Sequence, residues 1–102
     1  MPTFLVVSRH SPENCPMVNE KLKKMTVALV GKLDKLAKKH KVKVVGMWNV
    51  ASEHLSVRVF EAPSLEAFLK FRMEPELRKF NAHSTNEVKV AMSLKESMKM
   101  LK

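Results

Sequence analysis

The sequence is poor in the residues that build disulfide frameworks, flexible chains and membrane spans. It has one cysteine and two glycines in 102 residues, which excludes an internal disulfide framework and argues against a fibrous or disordered chain. No apolar run approaches the roughly 20 residues that a membrane-spanning helix needs. Met1 and Pro2 lead into an apolar run without a basic segment, so we expect no secretion signal. These features predict a soluble, cytoplasmic protein that does not bind membranes.

Aromatic side chains are also scarce, although the formal net charge is +9. There is no tyrosine and only one tryptophan, and lysine supplies most of the cationic side chains. Proteins that bind nucleic acid commonly stack bases on aromatic rings and use arginine to form paired hydrogen bonds with phosphate or guanine. Because this sequence has few aromatic and arginine residues, a nucleic acid partner is not expected. The many lysines between positions 21 and 43 predict a solvated helix face. An alternative is a non-catalytic binding or regulatory protein whose lysine face meets an anionic partner.

The length fits a single domain that spans residues 1–102. The apolar run from Phe4 to Ser8 predicts a first strand. A long helix is expected to follow, with Asn14 or Cys15 as its cap, Pro16 near its first position and His40 near its end. Its predicted apolar stripe recurs at spacings of three and four residues: Val18, Leu22, Met25, Leu29, Leu33 and Leu36.

The second half of the chain continues with a strand pair and a helix. Residues 42–50 and 54–61 predict a hairpin, because a short polar segment separates two β-rich runs. Ser64 is the expected N-cap of a second helix, and Pro75 is expected to interrupt that helix. Residues 85–92 predict a fourth strand, after which a short helix ends the sequence.

The order of these elements, βαββαβ with an extra C-terminal helix, is typical of the α+β class and of the ferredoxin-like plan. Right-handed crossovers place both main helices on one face of a four-stranded antiparallel sheet with strand order 4-1-3-2. The first strand is apolar on both sides, so the other sheet face should also be covered. The predicted cover is a second copy of the chain, which gives a homodimer through the sheet face.

The middle of the chain resembles a known group of proteins. It has Trp48 at the end of the second strand, Phe-Glu-Ala at residues 60–62 and Ser-Leu-Glu-Ala at residues 64–67. This pattern resembles the small, mostly uncharacterised members of the dimeric α/β-barrel superfamily. The resemblance implies a dimer of ferredoxin-like units. That superfamily includes monooxygenases, isomerases, haem enzymes and stress-response proteins. The resemblance therefore implies an isomerase or monooxygenase-like activity only in general terms. No cofactor is predicted.

The predicted topology gathers the chemically active residues at one edge of the sheet. The first two strands end there, and the last two begin there. We expect His10 and His54 to be the catalytic candidates, because an imidazole with a pKa near 6.5 suits proton transfer at neutral pH. The remaining residues at this edge are candidates for ligand binding: Ser8, Arg9, Cys15, Trp48 and His83.

Three interpretations of this edge are compatible with the sequence. The first is a small-molecule pocket in which Trp48 forms an aromatic wall. The second is a metal site built from His10, Cys15, His54 and His83; no metal is predicted, because the close-spaced ligand pairs of recognised sites are absent. In the third, Trp48 belongs to the core, Cys15 is buried or caps the helix, and the histidines are polar residues at loop ends.

Overall fold

The computed structural model describes residues 1–102, and its centre is one sheet of four strands. The strands are β1 (Thr3–Arg9), β2 (Lys43–Val50), β3 (Leu55–Glu61) and β4 (Thr85–Ala91). The helices are α1 (Glu20–Lys39), α2 (Leu65–Arg72), α3 (Pro75–Asn81) and α4 (Leu94–Met100). The order β2-β3-β1-β4, with every neighbouring pair antiparallel, confirms the predicted ferredoxin-like sheet. No helix is both long enough and apolar enough to cross a bilayer.

The alternation of side chains along β1 separates the two faces of the sheet. Phe4 and Val6 are buried on the face that the helices cover, whereas Leu5 and Val7 are half-buried on the other face. Phe4 stacks on Phe68 of α2 with the ring centroids 4.7 Å apart and the planes within 3° of parallel. The core joins this face to α1, α2 and α3: Phe4, Val6, Leu29, Leu33, Ala37, Val42, Phe60, Ala62, Phe68, Phe71 and Leu77.

The sheet face opposite the helices, here called the open face, is mainly apolar along the three strands β1, β3 and β2. Antiparallel pairing aligns Leu5 with Val59, and Val7 with Val57. A bulge in β2 between Val44 and Gly46 shifts the register, so that Trp48 pairs with Val57 and also belongs to this face. The apolar residues of the open face are therefore Leu5, Val7, Gly46, Trp48, Val50, Leu55, Val57 and Val59. Arg9 at the end of β1, and Glu87 and Lys89 of β4, add charged side chains to the same face.

The start of α1 is the main departure from the predicted elements. Residues Pro12–Asn14 form a 3-10 turn, and α1 begins only at Glu20. Its cap is Asn19, whose Oδ1 accepts a hydrogen bond of 3.1 Å from the backbone N–H of Leu22. The prediction that Asn14 or Cys15 caps the helix is therefore wrong. Both Asn14 and Asn19 could act as a cap, but Pro16 follows Asn14, whereas the residues after Asn19 contain no proline and continue as helix. As a result Val18 is 73% exposed and does not join the apolar stripe.

The later helix boundaries follow the predicted signals. The Ser64 hydroxyl accepts a hydrogen bond of 3.1 Å from the backbone N–H of Ala67, which confirms Ser64 as the cap of α2. Pro75 ends the helical run and becomes the first residue of α3. Glu74, just before it, accepts hydrogen bonds from His40 (2.7 Å) and Lys39 (2.9 Å). These contacts join the end of α1 to the start of α3.

Candidate functional site

Two histidines from different parts of the chain meet at the predicted edge of the sheet. His10 directly follows β1, and His54 lies in the short connection between β2 and β3 with left-handed dihedral angles (φ 51°, ψ 43°). The antiparallel register pairs Arg9 with Leu55, and the backbone N–H of His10 donates to the carbonyl oxygen of His54 at 3.1 Å. The sheet pairing itself therefore places these histidines side by side.

The side chains of His10 and His54 form a cluster with Cys15, here called the His-Cys cluster. The two imidazole rings meet edge to face with centroids 5.2 Å apart. One ring nitrogen of each histidine and Sγ of Cys15 all lie within 4.8 Å of one another. His10 Nε2 and His54 Nδ1 are buried and have no hydrogen-bond partner in the protein. Burial, and to a lesser extent the neighbouring His54, lower the pKa of His10 below its ordinary 6.5.

Cys15 reaches the cluster from the turn that precedes α1. Its backbone N–H donates to the carbonyl oxygen of Pro12 at 3.2 Å, and the residue is 7% exposed. The structure puts Cys15 outside α1 rather than at its first turn, so the helix dipole does not act on the thiol as it would at a helix N-terminus. The sulfur of Cys15 is instead a buried potential ligand atom beside two imidazoles.

A cavity of about 260 Å³ lies between this end of the sheet and the helices. The His-Cys cluster occupies one part of its wall. Phe80 of α3 contributes an aromatic surface, and Arg58 of β3 contributes a guanidinium. Such a mixture of apolar walls and a few polar groups is typical of small-molecule sites.

Arg58 is the charged residue of this cavity, and the sequence interpretation did not include it among the site residues. Its guanidinium lies 5.4 Å from the ring centroid of Phe80, and its Nη1 donates a long hydrogen bond of 3.4 Å to Asn81 Oδ1. No carboxylate forms an ion pair with it. Burial, and secondarily the nearby Arg72, lower the pKa of Arg58 to about 10, so the group stays cationic at neutral pH. Strand alternation could have revealed it, because Arg58 shares its face with buried Phe60.

Two further predicted residues, Ser8 and His83, lie beside the main cavity. Ser8 is buried, and it lines with His83 a smaller cavity of about 30 Å³. His10 and Arg58 border both cavities. The smaller one has room for about one water molecule. Ser8 and His83 therefore lie near the His-Cys cluster without belonging to it.

The other two predicted residues, Arg9 and Trp48, are not brought to the cavity. Arg9 is exposed and borders a shallow groove on the surface next to His83. Trp48 is 57% exposed on the open face, where its register partner is Val57. Sequence reasoning placed Trp48 correctly at the end of a strand. It could not tell which face the indole occupies, because the bulge before Gly46 sets that register.

Comparison with solved structures places the fold among known ones. A crystal structure described as an antibiotic biosynthesis monooxygenase superposes with a TM-score of 0.64 and 14% sequence identity. The superposition covers 92% of this chain and 99% of that chain. No protein-family profile matches the sequence, and no curated protein matches it. The likeness therefore shows that this chain has the same ferredoxin-like fold as that protein.

Proposed function

We propose that this protein binds a small, partly apolar organic acid in the cavity and removes a proton from it. The observation that carries the proposal is Arg58, a buried cationic group with no carboxylate partner in the protein. A planar guanidinium at the wall of an apolar cavity is suited to hold a carboxylate or an enolate. The ring of Phe80 beside it is suited to contact the apolar part of the same ligand.

The proton acceptors in this proposal are the two imidazoles of the His-Cys cluster. Both His10 and His54 line the cavity with Arg58, and both have a buried nitrogen without a partner. When an imidazole nitrogen takes a proton from carbon next to a carbonyl, the electron pair passes to the carbonyl oxygen and gives an enolate. Arg58 would stabilise this negative charge as it develops. Both isomerisation and cofactor-independent oxygenation of carbonyl compounds can begin in this way.

The fold neighbour is consistent with the oxygenation branch of the proposal. That protein is described as an antibiotic biosynthesis monooxygenase, and the two chains share the fold over nearly their whole lengths. Since one fold can carry many activities, the proton-transfer step is argued here from the cavity residues and not from the neighbour. The free, buried Cys15 suits the reducing cytoplasm in which we place the protein.

We further propose that the functional unit is a homodimer joined through the open face. Supporting this, the indole of Trp48 and the side chain of Val50 are exposed there, next to Val57 and Val59. An apolar surface that spans three strands is unfavourable in water and is typical of an interface. A face that repeats on both copies can pair with itself about a two-fold axis.

Phenylpyruvate is a suitable probe of the proposed chemistry. It combines a carboxylate for Arg58, a ring for the apolar wall and an acidic C–H next to a carbonyl. We expect the protein to bind phenylpyruvate and to accelerate exchange of its methylene protons in D2O, measured by proton NMR with EDTA present. Isothermal titration calorimetry would give the affinity.

Matched arginine variants separate the cavity from the surface. Arg58→Met should weaken phenylpyruvate binding roughly 10- to 100-fold, because one charged hydrogen bond contributes about 1.5–3 kcal/mol. Arg78→Met is the control, since Arg78 is exposed on α3. His10→Gln and His54→Asn should slow the exchange while Arg58 still supports binding. Equal effects of the Arg58 and Arg78 substitutions, or exchange no faster than in buffer, would refute the proposed function.

A further inference from the structure

We propose that the His-Cys cluster is a binding site for a thiophilic d10 metal ion, Zn2+ or Cu+. Its three donors come from three separate segments: His10 after β1, Cys15 before α1, and His54 between β2 and β3. One donor atom from each lies within 4.8 Å of the other two. Imidazole and thiolate are the ligands that such ions prefer.

Burial supports this assignment independently of the spacing. Cys15 is 7% exposed, and the unpartnered nitrogens His10 Nε2 and His54 Nδ1 are both shielded from solvent. Buried polar atoms in proteins almost always have a hydrogen-bond partner. Both histidines of the cluster therefore have a ring nitrogen that lacks the partner such atoms usually have. A metal ion bound to His10, Cys15 and His54 would be a common ligand for the three residues.

The geometry fits a site with three protein ligands and one open position. Zinc binds thiolate at about 2.3 Å and imidazole at about 2.0–2.1 Å, so tetrahedral ligands lie ~3.3–3.6 Å apart. The three ligand atoms of the cluster lie up to 4.8 Å apart. An inward movement of ~1 Å, which side-chain rotation can provide, would bring them to the spacing of zinc ligands. Because His10, Cys15 and His54 all line the cavity, a fourth ligand such as water or a carboxylate could approach from there.

The left-handed backbone of His54 keeps this arrangement in place. Its φ of 51° is uncommon for a residue other than glycine, and its carbonyl oxygen is bonded to the backbone N–H of His10. These constraints fix the backbones of the two histidines relative to each other before any ion binds. Cys15 would bind the ion as its thiolate.

This inference goes beyond the proposed function and does not depend on it. A metal bound to His10 and His54 would occupy the nitrogens that accept protons, so zinc should inhibit the deuterium exchange rather than support it. Metal binding itself is measured without any organic ligand. A failure of one proposal therefore leaves the other open to its own test.

The test uses the full, untagged chain, reduced and free of oxygen. Titration with Co2+ should give one ion per chain with a sulfur-to-cobalt charge-transfer band in the near ultraviolet, and Zn2+ should displace it. Cys15→Ser should abolish the band. His54→Asn, in which asparagine accepts the left-handed backbone, and His10→Gln should each weaken Zn2+ binding at least tenfold. Circular dichroism of each variant checks that it is folded.

His83→Gln is the matched control, because His83 lies beside the cluster but outside it. Its zinc affinity should equal that of the unmodified chain. The proposal is overturned if no charge-transfer band appears. It is equally overturned if the folded His10 and His54 variants bind Zn2+ as tightly as the His83 variant. If Cys15→Ser does not fold, the comparison of the His10, His54 and His83 variants replaces it, and equal Zn2+ affinities of these folded variants contradict the site.

Discussion

The indole of Trp48 lies directly over Gly46 on the open face of the sheet. A Cβ atom at position 46 would be 2.4 Å from Cη2 of Trp48, far inside any normal contact distance. The two residues are neighbours on this face because they are two apart in the same strand. The glycine therefore sets the position of the most exposed aromatic side chain of the proposed interface.

Gly46→Ala should displace the indole and weaken the dimer. We expect the dissociation constant from sedimentation equilibrium to rise at least tenfold, with a change in tryptophan emission. Met47→Ala is the control, since Met47 pairs with Arg58 on the other face of β2. The proposed interface is wrong if the unmodified chain sediments as a monomer of 11.7 kDa at micromolar concentration. It is also wrong if both variants dimerise equally well.

Asn19→Ala should destabilise the protein by about 1 kcal/mol, because it removes the side-chain acceptor for the Leu22 N–H at the start of α1. Asn14→Ala is the matched control, since the Asn14 side chain makes no hydrogen bond that caps α1. Urea denaturation followed by circular dichroism gives both free energies of unfolding. A larger effect at position 14 than at position 19 would contradict the helix start seen here.

Glu74 should make stability depend on pH in the acid range. The hydrogen bonds from Lys39 and then His40 lower its pKa below the ordinary 4.5. A carboxylate with a lowered pKa in the folded state stabilises the protein fully above 4.5. That contribution is lost as the pH falls through the folded-state value. Glu74→Gln should therefore lower Tm by a few degrees at pH 7, and the difference should disappear in strong acid.

Glu66→Gln serves as the comparison for this measurement. Glu66 pairs with Lys70 at 3.1 Å, but both side chains are largely exposed, so the pair contributes little. Calorimetric melting curves at several pH values should separate the two variants at pH 7. A Tm difference at Glu74 that does not change with pH would rule out the ionic explanation.

Phe68→Ala should destabilise the core by about 3–5 kcal/mol, because Phe68 is fully buried and stacks on Phe4. Such a loss is a large part of the stability of a small domain. Leu69→Ala, next to it on α2 but 44% exposed, should lose less than about 1 kcal/mol. Urea midpoints of the two variants provide the measurement, and equal midpoints would contradict the assignment of the core.

Much of the fold could be predicted because its signals are local. Apolar runs marked the strands, Ser64 marked the start of α2, and Pro75 marked its interruption. Once the element order was known, the handedness of crossover connections left one sheet order. That order also brought His10 and His54 to the same edge, since both lie at strand ends that the topology fixes.

The sequence by itself determined which residues stand at that edge, and only the tertiary structure decided which of them face the cavity. The bulge in β2 turned Trp48 to the open face, and the turn before Glu20 moved Cys15 out of α1 and next to the histidines. Arg58 became a site residue because the helices enclose its face of β3. Register and enclosure depend on contacts between distant segments, which local sequence patterns do not contain.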